Sequence, residues 1–192
     1  MSADVDIDFA DRTQILDLIA HVPAMQANQG KERRHNSGIY VTDIPYDPIN
    51  QCAAIDYTEA EERGYFKLDF LNVSVYQQVK SEQHLLDLMH EPDWTKLYDR
   101  AICSQLIHIN NHHDPLLQMP EPEDTIPRLA MFLAVIRPGK KHLIGKTWKE
   151  VAETVWDKTD KGYSFKRAHG VSYSQLVVVH MNLLAEQEQN AI

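Results

Sequence analysis

Asp4-Val5-Asp6-Ile7-Asp8-Phe9 alternates carboxylates with apolar residues, which is the period of a β-strand. Residues two apart on a strand share a face. Asp4, Asp6 and Asp8 are therefore expected to form a row with steps of roughly 7 Å. Val5, Ile7 and Phe9 are expected to be buried on the opposite face. Neighbouring carboxylates raise each other's pKa, so such a row is costly without a cation, and hard oxygen ligands suit Mg²⁺. The plainer reading is an acidic N-terminal tail.

The 192 residues, 43% of them hydrophobic, suffice for one domain with an ordinary core. No run reaches the roughly 20 apolar residues that span a bilayer. The acidic start does not read as a signal peptide. Cys52 and Cys103 lack metal or redox spacing and read as buried free thiols, which fits a cytoplasmic protein. A net charge of −9 argues against a general nucleic-acid footprint. From Arg137 to Gly170, however, nine Lys or Arg stand against four Asp or Glu, and a basic segment on an acidic chain suits a phosphate site.

Beyond the first strand, helical spacing of Ile15, Leu18, Ile19 and Val22 predicts a helix over 11–26, with Asp11 as N-cap and Pro23 kinking or ending it. Residues 28–37 read as polar loop. Short strands are expected over 38–42, 52–57 and 65–71. Helices are expected over 74–89, 94–107, 127–136 (capped by Thr125), 147–156 and 172–188, with a loop over 110–124. Early strands and later helices make the class α+β.

Two further clusters carry chemistry. Asp69 lies inside the apolar run Tyr65-Phe66-Lys67-Leu68-Asp69-Phe70-Leu71. A lone buried Asp is expensive unless paired or metal-bound. The plain reading is an ion pair with Lys67, two residues away on the same face. The functional reading brings Asp69 beside Asp6 and Asp8, where three carboxylates around two Mg²⁺ ions serve in-line phosphoryl or nucleotidyl transfer. The other cluster, residues 162–174, gathers Lys166, Arg167, His169 and several hydroxyls ahead of an amphipathic helix, as at an anion-binding helix N-terminus.

In order, these segments resemble the C-family polymerases, the bacterial replicative DNA polymerase III alpha subunit. Asp4-Val5-Asp6-Ile7-Asp8-Phe9 resembles that family's Pro-Asp-x-Asp-x-Asp-Phe strand. Arg34-His35-Asn36-Ser37-Gly38-Ile39-Tyr40-Val41 resembles its Arg-His-x-Ser-x-His-Ala-Ala-Gly-Val-Val segment, shortened. Lys67-Leu68-Asp69-Phe70-Leu71 resembles Lys-Phe-Asp-Phe-Leu. Ala134-Val135-Ile136-Arg137-Pro138-Gly139 resembles the fingers' Ala-Leu-x-Arg-Pro-Gly, and residues 162–174 resemble Gly-Tyr-Gly-Phe-Asn-Lys-Ser-His-Ser-x-Ala-Tyr.

The resemblance implies a small palm-like β-sheet and catalytic core over 1–90, a helical, fingers-like part over 91–192, and a nucleotidyltransferase in DNA replication that adds a dNTP to a primer 3′-hydroxyl. Asp6, Asp8 and Asp69 would be the catalytic ligands of two Mg²⁺ (or Mn²⁺) ions. Lys67 would lie near the primer end or the phosphates. Arg34, Arg137, Lys166, Arg167 and His169 would contact the incoming nucleotide or the primer–template DNA. The family's region ahead of the aspartate strand, its Gly-Ser-rich palm loop and its paired fingers arginines have no counterpart here, and the spacings are compressed. A second polymerase chain is therefore expected as partner, or the protein is a reduced, phage-like relative.

Two other readings remain open: a non-catalytic replication accessory protein derived from such a polymerase, and a metal-dependent phosphoesterase with a histidine such as His35 or His169 as base. His108, four residues from His112 and followed by His113, is a candidate Zn²⁺ cluster, against a plain reading of solvated histidines at a helix end.

Overall fold

The computed structural model describes residues 5–28, 30–158 and 165–190. Asp4 and positions 162–164 lie outside them. The architecture is α+β, with a small mixed sheet followed by helices. The chain divides into two compact units, Met1–Gln78 and Val79–Ile192.

The first unit contains β1 (Val5–Phe9), α1 (Thr13–Leu18), β2 (Val22–Asn28), β3 (Lys31–Tyr40), β4 (Tyr46–Asp47), β5 (Cys52–Ala53), α2 (Tyr57–Glu62) and β6 (Leu68–Asn72). Four strands form a sheet in the order β1-β6-β3-β2, and β4 and β5 pair separately. β1 runs parallel to β6, while β3 is antiparallel to both β6 and β2. Ala24, Met25, Tyr40, Ile44, Cys52, Ala53 and Ala60 form the buried core. Asp56 caps α2 through the Thr58 N–H and also accepts from the Ala27 N–H at 2.7 Å, which ties the helix to β2.

Four expectations change here. The strand expected over 52–57 is only β5, because Asp56 caps α2 and turns the chain into a helix at Tyr57. The helix over 11–26 is only α1, and Pro23 lies in strand β2. Asp11 accepts from the Thr13 N–H and hydroxyl, while Arg12 holds the N-cap position. Residues 22–28 find a ladder partner in β3, and that pairing outweighs the local helical spacing. The polar segment 28–37 is no loop: most of it belongs to the ten-residue β3, whose first four residues are exposed. A strand solvated on both faces shows no apolar alternation. The faces of β1 also differ from the expected pattern. Val5 and Ile7 are 38% and 36% exposed, whereas Asp6 and Asp8 are half-buried. β1 is an edge strand and α1 buries none of its residues, so the apolar row gains cover chiefly at Phe9, which packs on Phe70 at 4.8 Å.

The second unit contains α3 (Glu82–Asp87), α4 (Arg100–Cys103), α5 (His113–Leu117), α6 (Ile126–Val135), α7 (Trp148–Thr154) and α8 (Arg167–Asn190), with 3-10 turns at Trp94–Tyr98 and Pro138–Leu143. Its core includes Leu97, Leu106, Leu129, Phe132, Leu133, Val151 and Val177. Thr125 and Thr147 cap α6 and α7, the latter in a capping box with Glu150. The helix expected over 74–89 is divided, because Ser81 turns extended and its hydroxyl accepts the His84 N–H. Likewise Asp99 caps α4 and ends the preceding turn, dividing 94–107. The proposed loop 110–124 contains α5. α8 starts five residues before the expected 172, so Arg167 and His169 lie on the helix. Cys52 and Cys103 are buried free thiols.

Candidate functional site

The backbone places two of the three aspartates side by side. Asp6 on β1 is in register with Asp69 on the parallel neighbour β6. Neighbouring strands lie roughly 4.8 Å apart, so both side chains leave the same face of the sheet, with Asp8 one step along it. Burial, then the charge of Asp6, raises the Asp8 carboxyl above the usual carboxylate range. Burial also raises the Tyr76 phenol, and the charge of Asp8 adds to it.

Asp69 is buried, at 7% exposure, and its oxygens are occupied by side chains. Ser37 Oγ donates to Oδ1 at 2.8 Å. Lys67 Nζ donates to Oδ2 in a tight ion pair. The plain sequence reading of a Lys67–Asp69 pair is thus part of the structure. Lys67 Nζ also lies 5.7 Å over the Tyr57 ring.

Ser37 reaches Asp69 because β3 bulges. Between the paired positions Pro23↔Ile39 and Met25↔Arg34, β2 advances two residues while β3 advances five. Such irregularities redirect side chains. Within this bulge His35 Nδ1 accepts from the backbone N–H of Gly38 at 2.9 Å and of Ser37 at 3.3 Å. A nitrogen that accepts two N–H groups carries no proton of its own. The 3.6 Å approach of Nδ1 to Asp69 Oδ1 is therefore proximity and not a donated bond. Gly38, in register with Asp69, leaves the space: a Cβ there would lie 2.9 Å from Lys67 Cδ and 3.0 Å from His35 Nδ1. Sequence reasoning named the acids and Lys67 but missed Ser37 as the hydrogen-bond donor to Asp69 and His35 as the side chain that holds the bulge around it. The signal lay in His35-Asn36-Ser37-Gly38, two polar residues between a histidine and a glycine, within the segment that resembles the polymerase block.

The hydrogen bonds of Arg34 lead to another loop. Its Nε donates to the Asn50 carbonyl at 3.2 Å and its guanidinium to Gln51 Oε1 at 2.6 Å.

Four other candidates lie in the helical unit. The Arg137 guanidinium stands 4.9 Å over the Phe165 ring. Phe165 lies against His169 and Tyr173, and Tyr173 stacks on His108 at 4.1 Å. Lys166 and Arg167 are exposed at the start of α8. Arg137 and His169 thus share one aromatic cluster, and the cations beside them in sequence face solvent. Burial, then the Arg137 charge, pushes the His108 imidazole down to about 4.

His108, His112 and His113 do not share a helical face. His108 has a left-handed φ of 65° and lies in a turn. His112 Nδ1 contacts the Ile109 carbonyl and His113 Nε2 the Tyr98 carbonyl. Among the described residues, no group of three or more His, Cys, Asp or Glu stands arranged to hold a metal ion. No described helix is long and apolar enough to cross a membrane.

The donor chemistry of Asp6, Asp8 and Asp69 suits a hard divalent cation, and the β1–β6 register brings two of the three to neighbouring positions. Compared with protein-family models, with curated proteins and with solved structures, the chain matches none.

Proposed function

We propose that the first unit carries a divalent-cation centre for nucleotidyl transfer of the DNA polymerase III alpha type. Asp6, Asp8 and Asp69 would be its ligands, and dNTP and primer–template DNA its substrates. The observation that supports this most is the in-register placement of Asp6 beside Asp69 on parallel strands, with Asp8 on the same face. An edge row of acids with this spacing places negative charge where a bound cation offsets it. The cations would neutralise charge on the phosphates. The protein's own part is to fix the carboxylates, and the Ser37 bond to Asp69 does this directly.

Catalysis of this type rests on positioning and charge neutralisation. In this reading a second chain completes the nucleotide-binding surface. Primer extension with Mg²⁺ or Mn²⁺ is expected to be weak for the chain alone, to rise when the partner is supplied, and to vanish in Asp6→Asn and Asp69→Asn. Extension that survives both substitutions would overturn the proposal.

The Lys67–Asp69 pair favours a second reading, a replication accessory protein whose palm-like sheet is neutralised internally and serves only as scaffold. That reading predicts no divalent-cation binding at these acids.

A further inference from the structure

We propose that Lys67 is a built-in counter-cation of Asp69, which a divalent ion must displace before it can share Asp6, Asp8 and Asp69. This inference rests on the metal-binding reading above. A buried carboxylate needs a compensating partner, and the side chains of Lys67 and Asp69 are only 16% and 9% exposed. The partner is tethered two residues away. Its stem passes over Gly38, the one residue type without a Cβ to obstruct it. Its ammonium lies over the Tyr57 ring. Ser37 holds the other carboxylate oxygen.

The backbone aligns Asp6 with Asp69 on neighbouring parallel strands. The ammonium lies on Asp69 Oδ2 and the Ser37 hydroxyl on Oδ1, so both carboxylate oxygens are engaged. A site open only part of the time binds with its intrinsic affinity reduced by the open fraction. Were the pair open one time in ten, cation binding would be weakened about tenfold. Lys67 would thus set the cation concentration at which the centre loads.

The test titrates Mn²⁺ alone into the full chain by calorimetry and follows thermal unfolding with and without Mn²⁺. Wild type, Lys67→Met, Asp69→Asn and Lys67→Met/Asp69→Asn are compared. Lys67→Met keeps the stem and removes the charge. It is expected to bind Mn²⁺ about tenfold more tightly than wild type, to melt lower without Mn²⁺ and to gain a larger shift with it. The double variant leaves no charge uncompensated. It is expected to recover the melting temperature and lose the tight binding. If Lys67→Met does not fold, Lys67→Gln carries the same comparison.

Unchanged or weaker Mn²⁺ affinity in Lys67→Met, with binding still lost in Asp69→Asn, would overturn the latch and leave the metal-binding reading standing. Absence of Mn²⁺ binding in both wild type and Lys67→Met would overturn the metal-binding reading and the latch with it.

Discussion

Gly38 shows how much of the acid face depends on one missing methyl. A Cβ would meet Lys67 Cδ at 2.9 Å, His35 Nδ1 at 3.0 Å and Ala24 Cβ at 3.1 Å. Overpacking of this kind costs typically about 1–3 kcal/mol. Gly38→Ala is therefore expected to lower the unfolding free energy by an amount in that range, read as a lower urea midpoint. At Glu123 the issue is charge. The side chain is 1% exposed, and Tyr98 donates its hydroxyl to Oε2 at 2.7 Å. Burial pushes the carboxyl up to about 7. A raised carboxyl means that the folded state holds the proton more tightly. Its contribution is complete below the ordinary value of 4.5 and is lost as pH rises through about 7. The shift corresponds to an order of 3 kcal/mol. His108 works in the opposite sense: its lowered value stabilises above the ordinary imidazole range, and that contribution is lost as pH falls through about 4. The difference between wild type and Glu123→Gln isolates the carboxyl. Urea midpoints at pH 5 and pH 8 should show a smaller drop on raising pH in Glu123→Gln than in wild type.

Among the elements, those with local signals were legible in the sequence. α6 and α7 begin where Thr125 and Thr147 announce caps. β1 and β6 are short, and their alternation or apolar runs survive in the chain. The hairpin of β2 and β3 was not legible. Its outer half is polar on both faces, and Pro23 lies in a strand that pairing, not propensity, creates. The two long expected helices were divided by Ser81 and Asp99, whose side chains take backbone N–H groups that a continuous helix would have used. The same physics governs the site. Asp6, Asp8, Asp69 and Lys67 follow from a two-residue period, whereas Ser37 reaches Asp69 only through a bulge that no spacing rule reveals. At the start of α8, Gly170 lies where a Cβ would meet Trp156 Cη2 at 2.9 Å and the Ala130 carbonyl at 3.2 Å. Gly170→Val gains helix propensity over glycine, but it presses on a rigid ring and on backbone. It is expected to destabilise by roughly 2 kcal/mol, read from the thermal midpoint.

At the scale of the whole molecule, charge divides along the chain. The protein carries −9 overall, yet Arg137 to Gly170 carries nine basic against four acidic residues. If primer–template DNA is a ligand, its affinity should fall steeply with salt, since phosphate contacts release counterions. Lys166→Ala/Arg167→Ala should weaken binding uniformly across sequences and reduce the salt slope by about two. Filter binding at several salt concentrations checks both. The central claim concerns the first unit: that the aligned carboxylates of β1 and β6 are a cation centre. The most direct test is titration calorimetry of Mn²⁺ into wild type and into Asp6→Asn/Asp8→Asn/Asp69→Asn, with circular dichroism to confirm folding. The account predicts saturable binding in the wild type that disappears in the folded triple variant. Equal binding in both, or none in either the folded wild type or Lys67→Met, would contradict it.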